Sequence, residues 1–156
     1  MQNFIKSQTR LAFIQYIFQL EFLETEKNYN IKDFKNYFYN LDIAIMGEKK
    51  EFKLKFNKNF LNELCENYLN KFEKEDTINR LNNFIDLERK FEKWNTVLKA
   101  LIFAIISELQ NSEQKNFKII FNDYINISKS LVSTKEIKLM NAIIQKYINE
   151  KKIINT

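Results

Sequence analysis

Histidine and proline are absent from the chain, and glycine and cysteine occur once each. Each shortage excludes something. Without histidine there is no Ser-His-Asp or Cys-His catalytic arrangement and no histidine-ligated metal. Without proline, and with one glycine, the tight turns and hairpins of an all-β or α/β fold lose their usual residues. The single cysteine, Cys65, forms no internal disulfide, which suits a reducing cytosol. It lies on an apolar helical face and reads as a small buried residue rather than a reactive thiol. Arginine is scarce as well, confined to Arg10, Arg80 and Arg89. No Gly-rich phosphate loop, Cys-x-x-Cys pair or EF-hand loop occurs. Acidic pairs such as Asp33/Glu48 and Glu63/Glu66 exist, but nothing around them points to a pocket that would shift a carboxyl pKa.

What is present is helical. The 156 residues are 45% hydrophobic and 29% charged, the balance of a globular chain that fits one domain or two small sub-bundles sharing a core. The net charge of +5 and pI of about 9.1 favour an anionic partner such as nucleic acid. The abundance of Lys, Asn, Ile and Phe also has a simpler source, an AT-rich genome. The N-terminus does not read as a signal peptide: Lys6 to Arg10 is polar, and Gln15, Gln19 and Glu21 interrupt the apolar residues beyond it. A cytoplasmic protein is expected.

The most apolar stretch is 94–109. Val97, Leu98, Leu101, Ile102, Ile105, Ile106 and Leu109 repeat at helical spacing, and Ala100, Phe103 and Ala104 fill the remaining circumference. A helix apolar nearly all round belongs at the centre of a bundle. It falls short of the roughly 20 apolar residues that a membrane span needs, and Lys99 and Glu108 interrupt it at its ends.

Six further helices are predicted around it, making about seven in an all-α fold. The first runs over about 7–23, with Lys6 and Arg10 at its first turn beside a free N-terminus. The second covers about 31–45, capped by Asn30, with Asp33 in its first turn and Gly47 closing it. Residues 48–58 alternate basic and apolar; they read as a basic connector, with a short strand as the alternative. Their lysines can touch phosphate or simply be solvated. The third helix spans 59–72, and a polar break at Glu73–Glu75 precedes a fourth over 76–85. A charged lead-in, 86–93, enters the central helix, and 110–116 is a loop. The sixth helix covers 117–131, with Ile120, Tyr124, Ile127 and Leu131 inside. Ser133 and Glu136 form a capping box for the last helix, 134–151, which buries Ile137, Met140, Ile143, Ile144, Tyr147 and Ile148.

Three segments in order carry a resemblance. Residues 10–21, Arg-Leu-Ala-Phe-Ile-Gln-Tyr-Ile-Phe-Gln-Leu-Glu, are similar to Arg-Leu-Ala-x-Val-Gln-x-Leu-Tyr-Gln-x-Glu. Lys99 to Ala104, continuing to Glu108-Leu109, is similar to Arg-Ala-x-Leu-Arg-x-x-x-Tyr-Glu-Leu. Lys118 to Tyr124, Ile127-Ser128-Lys129 and Asn141 to Ile144 resemble Lys-Val-Val-Ile-Asn-Glu, Ile-Ala-Lys and Phe-Val-Asn-Gly-Val-Leu. Together they resemble the NusB family of bacterial transcription antitermination factors over about 10–150. Departures are visible. The N-terminal segment is poorer in arginine than the family's, Phe18 stands where the family has Tyr, Leu139 where it has Phe, and Ala142 where it has Gly. Alanine at that place argues against a required positive φ.

The resemblance implies one domain of two helical bundles sharing a core, an N-terminal one over about 1–72 and a C-terminal one over about 73–156. It implies no catalysis, no cofactor and no metal. It implies binding of boxA-type single-stranded RNA together with ribosomal protein NusE, within the RNA polymerase antitermination complex, promoting ribosomal RNA transcription. Carried over by position, Lys6, Arg10, Phe18 and Lys118 are the candidate RNA-binding residues, and Leu139 is the candidate partner-binding residue. Phe18 is as well suited to core packing as to stacking. Asn122 and Asn141 match family positions and are expected to make structural hydrogen bonds. Cations would neutralise phosphates and exposed aromatics would stack on unpaired bases. Two rivals remain. One is a helical protein-binding scaffold in ribosome biogenesis with weak or no RNA binding, suggested by the missing arginines. The other is an RNA methyltransferase carrying a fused domain of this type, disfavoured because no Gly-rich cofactor-binding region is present. A homodimer through an apolar partner surface is a further possibility.

Overall fold

A computed structural model describes residues 2–22, 56–84 and 90–154. Six α-helices are present among them: α1 (Asn3–Phe22), α2 (Lys58–Lys71), α3 (Lys74–Phe84), α4 (Thr96–Gln110), α5 (Phe117–Ser128) and α6 (Thr134–Ile154). Single 3-10 turns at Phe91–Lys93 and Gln114–Asn116 precede α4 and α5. The described residues contain no strand, so the fold is all-α as expected. The helix expected over 31–45, with Asn30, Asp33 and Gly47, and nearly all of the 48–58 connector lie outside the described residues. No helix of the described residues is long and apolar enough to cross a membrane.

The chain divides into two compact units, Met1–Cys65 and Glu66–Thr156. The second is organised around α4. Every residue from Ala100 to Leu109 is buried, the outcome of an apolar circumference with no hydrophilic side. Full burial of an aliphatic side chain contributes roughly 1.5–3 kcal/mol, so this one helix carries a large share of the unit's hydrophobic stabilisation. It packs against α5 and α6, which also pack on each other, while α3 packs on α6 and the first 3-10 turn.

The entry to α4 differs from the expected one. The helix begins at Thr96 rather than at 94, because Asn95 caps it: its side chain accepts a 2.8 Å hydrogen bond from the Val97 amide, which satisfies one of the first-turn donors. The segment expected to be a charged lead-in holds Phe91, 1% exposed. Its amide donates to the Asn82 side chain at 3.0 Å. Ring contacts of 4.8–5.4 Å link Tyr68, Phe72, Phe103, Phe91 and Trp94 in series.

At the other end of α4, no glycine is available to close the helix, and two polar side chains do so. The Asn111 side chain donates to the Ser107 carbonyl at 2.8 Å, and Ser112 Oγ to the Glu108 carbonyl at 2.6 Å. Last-turn carbonyls are thereby satisfied without a left-handed residue, and no described residue has a positive φ. Glu108 is a second correction. It does not interrupt the core: it is 6% exposed, and its carboxylate accepts a 2.7 Å hydrogen bond from the Tyr124 hydroxyl on α5.

Helix α5 stops at Ser128, so Leu131 lies beyond it and is half-buried rather than internal; Ile127 and Ile137 are half-buried too. The capping box of α6 forms as read. Glu136 N–H donates to Ser133 Oγ at 3.2 Å, and the Ser133 amide donates to the Glu136 carboxylate at 3.1 Å. Cys65 is fully buried, as its apolar setting required.

Candidate nucleic-acid interface

In the first unit the candidate residues stand on α1. The helix begins at Asn3, four residues earlier than expected, so Lys6 falls in its first turn and Arg10 a full turn later. Thr9 and Arg10 face inward with Phe13, Tyr16 and Ile17. Thr9 Oγ1 donates to the Ile5 carbonyl at 2.7 Å and accepts from the Asn57 amide at 2.9 Å. Asn57 in turn caps α2, its side-chain oxygen accepting from the Phe60 amide at 2.8 Å. Arg10 lies over the Phe60 ring, 5.4 Å from its centroid. Three consecutive links thus tie the start of α1 to the start of α2: a hydroxyl, an N-cap and a cation–π contact.

That arrangement separates residues the sequence had grouped. Arg10 is 7% exposed, a packed guanidinium rather than one standing in solvent. Lys6 is half-buried and lies on the same side of α1 as Arg10, four residues away. Phe18 is half-buried, between core packing and stacking.

A residue missed in the sequence is Phe4, 61% exposed. It lies 14 residues from Phe18, on nearly the same side of the helix and about 21 Å along it. Lys6 lies about 200° away around the axis. Starting the helix at Asn3 would have revealed this, because Phe4, Leu11 and Phe18 then fall into a seven-residue spacing. An exposed ring can stack on an unpaired base, an interaction of roughly 1–3 kcal/mol.

In the second unit, Lys118 is exposed on α5 and Leu139 half-buried on α6. Ile119, beside Lys118, is 70% exposed. Asn122 and Asn141, expected to hold structure, are both exposed; a buried hydrogen bond in this unit joins Tyr124 and Glu108. Tyr147 on α6 has its hydroxyl pKa raised, mainly by burial, against a hydrogen bond with Gln110 that works in the opposite direction. Among the described residues no group of three or more Cys, Asp and Glu comes together in a way that could hold a metal ion.

Among the described residues the protein is all-helical apart from short turns, and no buried side-chain polar atom lacks a hydrogen-bond partner. The NusB family model matches residues 7–149, and the chain belongs to the NusB family. No curated protein and no solved structure matches it.

Proposed function

We propose that this chain is a transcription antitermination factor. In this reading it binds boxA-type single-stranded RNA together with ribosomal protein NusE and acts in the cytoplasm on ribosomal RNA transcription. The observation that carries the reading is the family match over 7–149, nearly the whole chain. Lys6 supplies a cation at the start of α1, and Phe4 supplies a ring for stacking. The two stand on opposite sides of α1, and Arg10 acts indirectly, by fixing the start of that helix against Phe60. No step of the proposed activity is chemical: RNA and protein are bound and nothing is turned over.

The test is RNA binding by the purified chain, with and without NusE, across a salt series. Binding of a boxA oligonucleotide that strengthens with NusE and weakens as salt rises is the expected result. Absence of binding at low salt in both cases overturns it. The second reading, a protein-binding scaffold in ribosome biogenesis, is favoured by one observation: the single arginine of the N-terminal segment is buried. Capture of NusE without RNA affinity would select it. Light scattering on a sizing column separates a heterodimer surface from one that pairs two copies of the chain.

A further inference from the structure

The hydroxyl of Thr9 joins two main-chain groups that the chain order keeps far apart. It donates to the Ile5 carbonyl at 2.7 Å and accepts from the amide of Asn57, 48 residues beyond Thr9, at 2.9 Å. Thr9 is 0% exposed, and a buried donor or acceptor left without its partner is costly. The Ile5 carbonyl belongs to the same rigid peptide unit as the Lys6 amide, and that amide donates to the Gln2 carbonyl at 3.1 Å. The peptide unit leading into Lys6 is therefore held at both ends. The first turn of α1 holds its amide, and Thr9, itself bonded to the start of α2, holds its carbonyl. This tether answers a local weakness. Helix α1 has no acidic residue in its first turn, and a lysine there opposes the helix dipole. Chain ends are poorly ordered unless tied down. The Arg10–Phe60 contact joins side chains, whereas the Thr9 hydroxyl bridges backbone to backbone.

We propose that Thr9 is a positioning residue for RNA recognition at the start of α1: its hydroxyl sets the register of the Lys6 backbone against the start of α2 and itself touches no RNA. This rests on the RNA-binding reading. Lys6 lies three residues before Thr9, on the same side of the helix to within about 60°. It thus continues the inward side of α1 one turn beyond the buried Thr9 and Arg10. Its ammonium works from a backbone whose place the tether sets. On an untethered turn the backbone would have to be ordered at the moment of binding, and that cost falls on affinity. With the tether the ordering is complete before RNA arrives. Loss of the hydroxyl transfers the cost to the binding step, while the buried Phe13, Tyr16 and Ile17 keep the body of α1 in place.

The experiment measures binding of a boxA RNA oligonucleotide, with NusE present, by the full chain and by its Thr9→Val and Thr9→Ser variants. Valine keeps the branched shape and removes both bonds; serine keeps both. Binding is read well below each melting temperature, and circular dichroism verifies that helix content is unchanged. Thr9→Val is expected to weaken binding by about 5- to 30-fold, the factor that ordering one residue's backbone represents, and Thr9→Ser to restore it. Lys6→Ala and the double variant complete a double-mutant cycle. The loss caused by Thr9→Val should shrink or vanish once Lys6 is replaced, because the register then serves no cation. A loss that persists in full in that background reports general destabilisation and overturns the proposal. Amide hydrogen exchange gives a readout without RNA: it should quicken at Lys6 and Asn57 in Thr9→Val and stay unchanged along α4. Unchanged exchange at Lys6 also overturns the proposal. If valine prevents folding, Thr9→Cys, whose thiol hydrogen-bonds weakly, takes its place with the same expectations at smaller size. Equal RNA affinity of Thr9→Val and wild type overturns the proposal and leaves the antitermination reading intact. No binding by the wild type at low salt overturns that reading itself, and with it any role of Thr9 toward RNA.

Discussion

The Tyr124 hydroxyl donates a 2.7 Å hydrogen bond to the Glu108 carboxylate, joining the C-terminal end of α4 to the middle of α5, and both residues are buried. A buried carboxylate costs free energy unless it is hydrogen-bonded. Tyr124→Phe removes this donor and is expected to destabilise the fold by about 1–3 kcal/mol. Glu108→Gln keeps an acceptor for the hydroxyl and removes the charge, so its cost should be smaller. Urea unfolding of the two single variants and the double variant measures the coupling. Strictly additive effects would show that the two groups do not act as a pair.

Arg10 and Phe60 lead to a second expectation. Arg10→Ala removes a desolvated cation–π contact of about 2 kcal/mol together with packed side-chain stem. Arg10→Lys should recover only part of it, because a compact ammonium cannot lie flat on the ring as a guanidinium does. Thermal unfolding should therefore rank wild type above Lys above Ala. Lys6→Ala should leave the melting temperature close to that of the wild type while reducing RNA affinity, which separates binding from stability at this end of α1.

The capping box offers a local test. Ser133→Ala removes the acceptor for the Glu136 amide and should cost about 1 kcal/mol. Ser133→Asp should restore most of that loss, since a carboxylate also accepts at a helix N-terminus and suits the dipole. Chemical denaturation of the three proteins decides it, and equal midpoints would show that α6 is held by packing alone.

Tyr147 sets an alkaline limit. Burial raises its pKa above the ordinary value of 10.0. The proton is then held more tightly in the folded than in the unfolded chain. The resulting stabilisation is fully present below pH 10 and is lost as pH climbs from there through the folded-state pKa. Ultraviolet titration should show one tyrosine ionising later than the exposed ones, and Tyr147→Phe should abolish that late component. A titration curve unchanged by the substitution would assign the late component to another tyrosine.

Much of this architecture was legible in the chain itself. The periodicity of 94–109 identified the central helix, because a helix apolar all round can be satisfied only inside a bundle. The Ser133 and Glu136 spacing located the start of α6 at the right residue, because a capping box is a local motif. The shared segments from Arg10 to Ile144 pointed to the family. Residues whose surroundings are made by distant segments were harder to read. Phe91 sits in a charged run, yet Asn82 and the Phe103 ring receive it. Arg10 looked like a solvent-exposed cation because its covering ring is 50 residues further along the chain.

The sequence by itself determined the helical class, the identity of the core helix and the scarcity of chemistry-bearing side chains. These properties arise from composition and from periods of a few residues, which act within a single segment. The tertiary structure alone decided which polar and charged groups are used internally. Arg10 and Glu108 are held inside, and Lys118, Lys129 and Lys138 remain outside on α5–α6. A charge is buried only where a partner from another segment offsets its desolvation, and that partner is supplied by the folded arrangement rather than by neighbours in the chain.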